Sequence, residues 1–221
     1  TREIQHLTYN PNDDYSLSDN AIYSLYKDAE GGIWIGSYFG GIDYYPTQYA
    51  TFEKYYPIIG QNSLSGKVVR EFCEDEDGNL WIGTEEGLNR YDGIMIKSYS
   101  ICPQAAGKYI SSLYGTKKNI WIGTDEGIYI YAYATETFTY FDLTTPNNVR
   151  ITSIVNHILQ DKDGNLWFST NGQGLFRYNL SKNYLEQYEF TSAFGIVAST
   201  MADSDNQIWA LTNQGESGVY K

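Results

Sequence analysis

Residues 75–84 read DEDGNLWIGT, and residues 161–170 read DKDGNLWFST. In both, an acidic stretch closes on Gly-Asn and runs straight into an apolar segment centred on tryptophan. Asp and Asn side chains bond their own backbone in tight turns, and Gly supplies the positive φ such turns need. The apolar half is rich in residues that favour half-buried strands. Each stretch therefore predicts a hairpin turn leading into a strand.

The same tryptophan context recurs along the chain: GGIWIGS (Trp34), GNLWIGT (Trp81), KNIWIGT (Trp121), GNLWFST (Trp167) and NQIWALT (Trp209). The spacings are 47, 40, 46 and 42 residues, and these are all the tryptophans of the 221-residue chain. A period of about 40–50 residues belongs to propellers or helical solenoids, and strand chemistry decides between them. Upstream of each turn lies a strand A, as in AIYSLYKD (21–28), VVREFCED (68–75) and IVNHILQD (154–161). The tryptophan marks strand B. A Gly-bearing turn follows, then strand C (LNRY, IYIY or LFRY) and strand D (TFEKYYP, MIKSYS, TFTYFDL or YLEQYEF). No sustained 3.6-residue period is present.

Four antiparallel strands per repeat make a propeller blade. The fold is thus predicted as all-β, with five four-stranded antiparallel blade repeats forming part of a larger propeller. The units span approximately 11–57, 58–100, 101–143, 144–190 and 191–221, preceded by an N-terminal strand over 1–10 that resembles strand D. That strand could complete the last unit and close a five-blade ring; an arc of a larger ring is the preferred expectation. Trp34, Trp81, Trp121, Trp167 and Trp209 are expected to pack blade on blade rather than to serve as sugar platforms.

Composition narrows function. The net charge is −12, which disfavours phosphate backbones, so no nucleic-acid partner is expected. No apolar run approaches the ~20 residues of a membrane helix, and no membrane contact by this segment is expected. Two cysteines, Cys73 and Cys102, show no metal or disulfide-framework spacing. Cys73 reads as a small buried hydrophobe. The chain starts at Thr1 and is expected to be a piece of a longer protein.

The motif D-x-x-G-N-[IL]-W-[IF]-G-T-x-x-G-[IL]-x-x-Y, seen over Asp75–Tyr91 and Asp161–Tyr178, resembles the two-component regulator propeller repeat. The stretch Tyr9–Ile22 (YNPNDDYSLSDNAI) is similar to that family's linker into strand A, and Gln61–Ser65 (QNSLS) is a second copy. Two units depart from the pattern: the third has a shortened turn, Thr116-Lys117-Lys118-Asn119, and the fifth has Ala210-Leu211 in place of Ile-Gly. The resemblance implies a periplasmic sensor of a hybrid histidine kinase of the kind found in polysaccharide-degrading Bacteroidetes. It also implies an oligosaccharide ligand and a homodimer in the full-length protein. His6 and His157 lie in strand-like contexts, not in a phosphoacceptor helix.

Antiparallel order places the D-to-A linkers and B-to-C turns on one face, where a channel mouth would lie. Candidate ligand residues there are Tyr38, Phe39, Lys67, Glu85, Glu86, Lys108, Asp125, Glu126, Asn171, Gln173 and Asn213. Asp19, Asn20, Arg150 and Gln214 lie on the same face. Aromatics beside amides and carboxylates suit a neutral sugar, whereas polar hairpin turns are the structural alternative. The Asp-x-Asp-Gly turns resemble fragments of calcium loops, but they are too short to supply six to eight oxygens, and neither metal nor cofactor is expected. Catalytic motifs are lacking, and the segment is not expected to be an enzyme. The alternative to ligand sensing is a protein-interaction platform.

Overall fold

A computed structural model describes residues 6–13, 16–29, 31–46, 55, 57–58, 60–101, 109–188, 195–213 and 218–221. Two compact units divide the chain, Thr1–Lys54 and Tyr55–Lys221. The first holds one antiparallel sheet of β1 (Ile22–Lys27), β2 (Ile33–Ser37) and β3 (Ile42–Tyr45). The second holds four sheets. They are β4 (Val69–Glu74), β5 (Leu80–Thr84), β6 (Gly87–Tyr91) and β7 (Ile96–Tyr99); β8 (Ile110–Gly115), β9 (Asn119–Thr124), β10 (Gly127–Ala132) and β11 (Thr137–Tyr140); β12 (Val155–Gln160), β13 (Leu166–Thr170), β14 (Leu175–Asn179) and β15 (Tyr184–Tyr188); and β16 (Val197–Ala202), β17 (Ile208–Thr212) and β18 (Gly218–Tyr220). Every sheet is a sequential antiparallel meander, and the described residues contain no helix. Residues 6–10, part of the expected N-terminal strand, are not in a strand, and residues 1–5 lie outside the described residues. Most of the TFEKYYP strand also lies outside them.

In the second unit the inner strands β4, β8, β12 and β16 pack side by side in that order. Each strand-B tryptophan packs on the sheet that follows it. Trp81 joins Ile110, Leu113, Ile120 and Tyr131 of the next sheet. Trp121 joins Val155, Leu166, Phe168 and Phe176, and Trp167 joins Val197 and Ala210. Trp81, Trp121 and Trp167 are 1%, 3% and 9% exposed. Trp209, in the final sheet, is half-buried. Trp34 departs from the sequence expectation: it is 42% exposed and packs on Tyr44 of its own sheet.

The motif's other residues serve the same packing. The turn Gly78 and Gly164 have φ of 79° and 82°, as the hairpin reading requires. Thr84, Thr124 and Thr170 are fully buried and donate to the carbonyls of Gly87, Gly127 and Gly174, closing the B-to-C turns. At Gly123 a β-carbon would lie 2.8 Å from the Val155 carbonyl, so glycine lets the next inner strand approach.

The acidic turns have a role that sequence reading missed. The Asp75 carboxylate accepts the Trp81 Nε1–H at 2.8 Å and also the Asn79 backbone N–H and side-chain amide. The spacing of six residues repeats for Asp28–Trp34, Asp161–Trp167 and Asp203–Trp209, at 2.8–2.9 Å. These four carboxylates are thus each tied to an indole. The third unit is the exception. Thr116 bonds Asn119 but does not reach the indole, and Trp121 Nε1 is buried without a partner. An unsatisfied buried N–H carries a desolvation cost that its removal relieves. Trp81→Phe should therefore cost about 1–3 kcal/mol more than Trp121→Phe, because it takes one buried donor from Asp75. Paired urea titrations measure the difference; equal losses would remove the Asp–indole bond from the account.

Candidate functional site

The B-to-C turns are tied to the linkers before strand A. The backbone N–H of Glu85 donates to the Val68 carbonyl, and that of Asn171 to the Ile154 carbonyl. The linkers and these turns thus share a face within the second unit, as the antiparallel order predicts.

Each inner strand carries a bulge near its start. The register shifts between Val69 and Glu71, Ile110 and Ser112, Val155 and His157, and Val197 and Ser199. The extra residues are Arg70, Ser111, Asn156 and Ala198. A bulge breaks the alternation of a strand and re-aims one side chain. All four line one opening of about 420 Å³, together with Glu71, Tyr109, Asn171, Ile196 and Asn213. That volume lies within the ~300–1,000 Å³ of small-molecule sites. Tyr23 occupies the equivalent bulge in the first unit and is exposed.

Two lining residues also stitch neighbouring sheets. Ser111 Oγ donates to the Val155 carbonyl at 2.7 Å, and the Asn156 amide donates to the Val197 carbonyl at 2.9 Å. These bonds fix the side chains and leave oxygen lone pairs for a ligand. Asn171 and Asn213 add two exposed amides. On one side, the Arg70 guanidinium lies 5.3 Å from the Tyr109 ring centroid and forms an ion pair with Glu85. Glu85 also raises the Arg70 pKa, so the guanidinium stays charged.

Of the sequence-predicted site residues, Asn171 and Asn213 line the opening and Glu85 holds Arg70 at its edge. Glu86, Asp125, Glu126 and Lys67 are exposed and do not line it. Gln173 is a clamp: its side-chain oxygen accepts the N–H groups of Thr152 and Ser153, and its amide donates to the Arg150 carbonyl. Arg150 pairs with Asp142 at 2.8 Å. Tyr38 and Phe39 belong to the first unit, where their exposed rings meet edge-on with centroids 4.5 Å apart. Asp19 caps the N–H groups of Ala21 and Phe39, and Asn20 accepts the N–H of Tyr9. Lys108, Gln214 and Cys102 lie outside the described residues. Missed by sequence reading were Arg70, Tyr109, Ser111 and Asn156. The strands carry no clear signal for them: β4 also holds Glu71 and Glu74, and β8 also holds Ser112.

Next to the opening, His157 Nδ1 lies 3.2 Å from Thr200 Oγ1 of the following sheet. Burial lowers its pKa, and the nearby Glu71 carboxylate partly offsets this. The folded protein therefore binds fewer protons than the unfolded chain between the folded value and ~6.5, so stability should fall as pH drops through that window. His157→Gln should flatten the change in urea midpoint between pH 7.5 and 5.5; an unchanged slope would contradict this. Burial raises the half-buried Cys73 thiol to about 12, so it is an inert packing group at neutral pH. Among the described residues, no three His, Cys, Asp or Glu side chains come together as a metal site.

Meandering four-stranded antiparallel sheets, joined by a repeated indole and lining an opening with their inner strands, define an all-β protein of propeller blades. The family model described as two component regulator propeller matches residues 16–39, 63–86 and 148–172. A curated relative, Histidine kinase P4 of Formosa agariphila, is 29% identical over 200 residues, covering 85% of this chain and 14% of that protein. The solved extracellular domain of the hybrid two component system BT4673 from B. thetaiotaomicron matches 99% of this chain and 32% of its own, with a TM-score of 0.63 and 22% identity. Virginiamycin B lyase of Staphylococcus aureus matches 91% of this chain and 70% of its own, with a TM-score of 0.53 and 18% identity. The two solved structures share the fold. The chain spans about a seventh of the curated relative.

Proposed function

We propose that this chain is part of the extracytoplasmic sensor of a hybrid two-component regulator and that it binds an oligosaccharide. The full-length protein would act as a homodimer and signal to a histidine kinase. The observation that carries the reading is the opening lined by the bulged residues of four successive inner strands. Amides, a hydroxyl, a guanidinium and one aromatic ring converge there, the groups that hydrogen-bond and stack on sugars. The repeat match and the histidine-kinase relative support the signalling context. The ligand is bound rather than transformed: Ser111 is hydrogen-bonded to a carbonyl, not to a base that could activate it. In such a sensor, ligand binding can shift conformation only by its differential affinity for the two states.

Thermal unfolding with a panel of defined oligosaccharides tests the reading. A specific ligand at about 100 times its Kd should stabilise the chain by about 2.7 kcal/mol. Tyr109→Ala and Asn156→Ala should remove that gain. A flat response across the panel, or hydrolysis of a glycan, would count against it.

A further inference from the structure

Resting on the sensing reading above, we infer that Arg70 and Glu85 set the charge class of the ligand. The opening takes a saccharide that is uncharged where it meets Arg70, and Glu85 is the group that keeps carboxylates out.

Arg70 is the only cation among the described residues lining the opening. An unpaired guanidinium in an amide-rich site would receive a carboxylate in a two-pronged fork. Here that place is filled from within the same sheet. Glu85, the first residue of the turn after β5, pairs with Arg70, which also lies over Tyr109. Glu71, the next residue of β4, puts a carboxylate in the lining itself. A uronate arriving at Arg70 must displace Glu85 and then face two carboxylates. A neutral sugar displaces nothing, because a guanidinium has five N–H donors and can give a hydrogen bond to a hydroxyl while Glu85 balances its charge.

The other repeats contribute no such pair. At the bulge position they place Ser111, Asn156 and Ala198, and after strand B the fourth and fifth sheets place Asn171 and Asn213. Discrimination by charge is therefore confined to one side of the opening, where two substitutions can reach it.

The test measures affinities of the full chain for neutral oligosaccharides (cello-, xylo- and manno-series) and for oligouronates of matched length. The wild type should bind a neutral series and prefer it to the uronates. Glu85→Gln, at a part-exposed side chain, should raise uronate affinity relative to neutral affinity about tenfold. Glu85→Ala should act in the same direction, and adding Arg70→Gln should cancel the gain. A wild type that prefers uronates, or a Glu85→Gln protein with unchanged discrimination, would overturn the inference and leave the sensing reading intact. Absence of binding by both classes, in the wild type and the variants, would overturn both.

Discussion

Trp121→Ala should lower the unfolding free energy by about 3–5 kcal/mol, the range of large aromatic truncations in cores. Trp121 is 3% exposed and sits where β9 meets the following sheet. Its ring contacts Phe141 at 5.4 Å, Tyr178 at 5.7 Å and Phe168 at 5.8 Å between centroids. Truncation removes the apolar area and leaves a cavity between two sheets, neither of which can collapse onto the other without disturbing its own ladder. Trp34→Ala should cost less, about 1–2 kcal/mol, because that indole is 42% exposed and only its part-burial is lost. Guanidinium titration of both variants checks the ranking. Similar losses would mean that the repeated indole does not join neighbouring sheets.

Asp161→Ala should cost about 3 kcal/mol, since several buried donors lose their acceptor together. Asp161 is 8% exposed. One carboxylate oxygen accepts the backbone N–H groups of Asp163 and Asn165; the other accepts the Trp167 indole N–H and the Asn165 amide. Burial alone would raise this carboxyl, but the bonds from Asn165 and Trp167 outweigh it and hold the pKa below the usual aspartate value. A depressed carboxylate stabilises the fold above its unfolded pKa, and the gain is lost as pH falls from there through the folded value. The wild type should therefore lose stability on acidification below about pH 4, and the loss should be smaller in Asp161→Ala. Denaturation at neutral pH and at pH 3 gives both comparisons. A loss under 1 kcal/mol at neutral pH would reduce Asp161 to an ordinary turn residue.

The fold was legible because its determinants repeat. The strand-B indole returns in all five units, a threonine closes strand B in four (Thr84, Thr124, Thr170 and Thr212), and a turn glycine precedes it in three (Gly31, Gly78 and Gly164). Trp34 marks the limit of that reading: its heptapeptide matches the others, but burial depends on the sheet opposite, which local sequence does not encode. The Asp–indole bond was hidden for a different reason. Asp-x-x-Gly is fully explained by turn chemistry, so its reach to the tryptophan left no separate trace, and only the shortened turn before Trp121 exposes the pairing by lacking it.

The site was half legible. Topology identified the face, and Asn171, Asn213 and Glu85 stand in or beside the opening. Polarity alone could not separate them from Gln173, which has the same chemistry but clamps a linker. The inner-strand residues escaped because side-chain direction there was inferred from strict alternation. A bulge breaks that alternation at Arg70, Ser111 and Asn156, and nothing in a six-residue strand announces it.

A crystal structure of the chain soaked with the best-binding neutral oligosaccharide tests the central claim most directly. Sugar density against Tyr109 and the amides of Asn156, Asn171 and Asn213 is the predicted result. Density at another surface, with this opening holding only solvent, would contradict it.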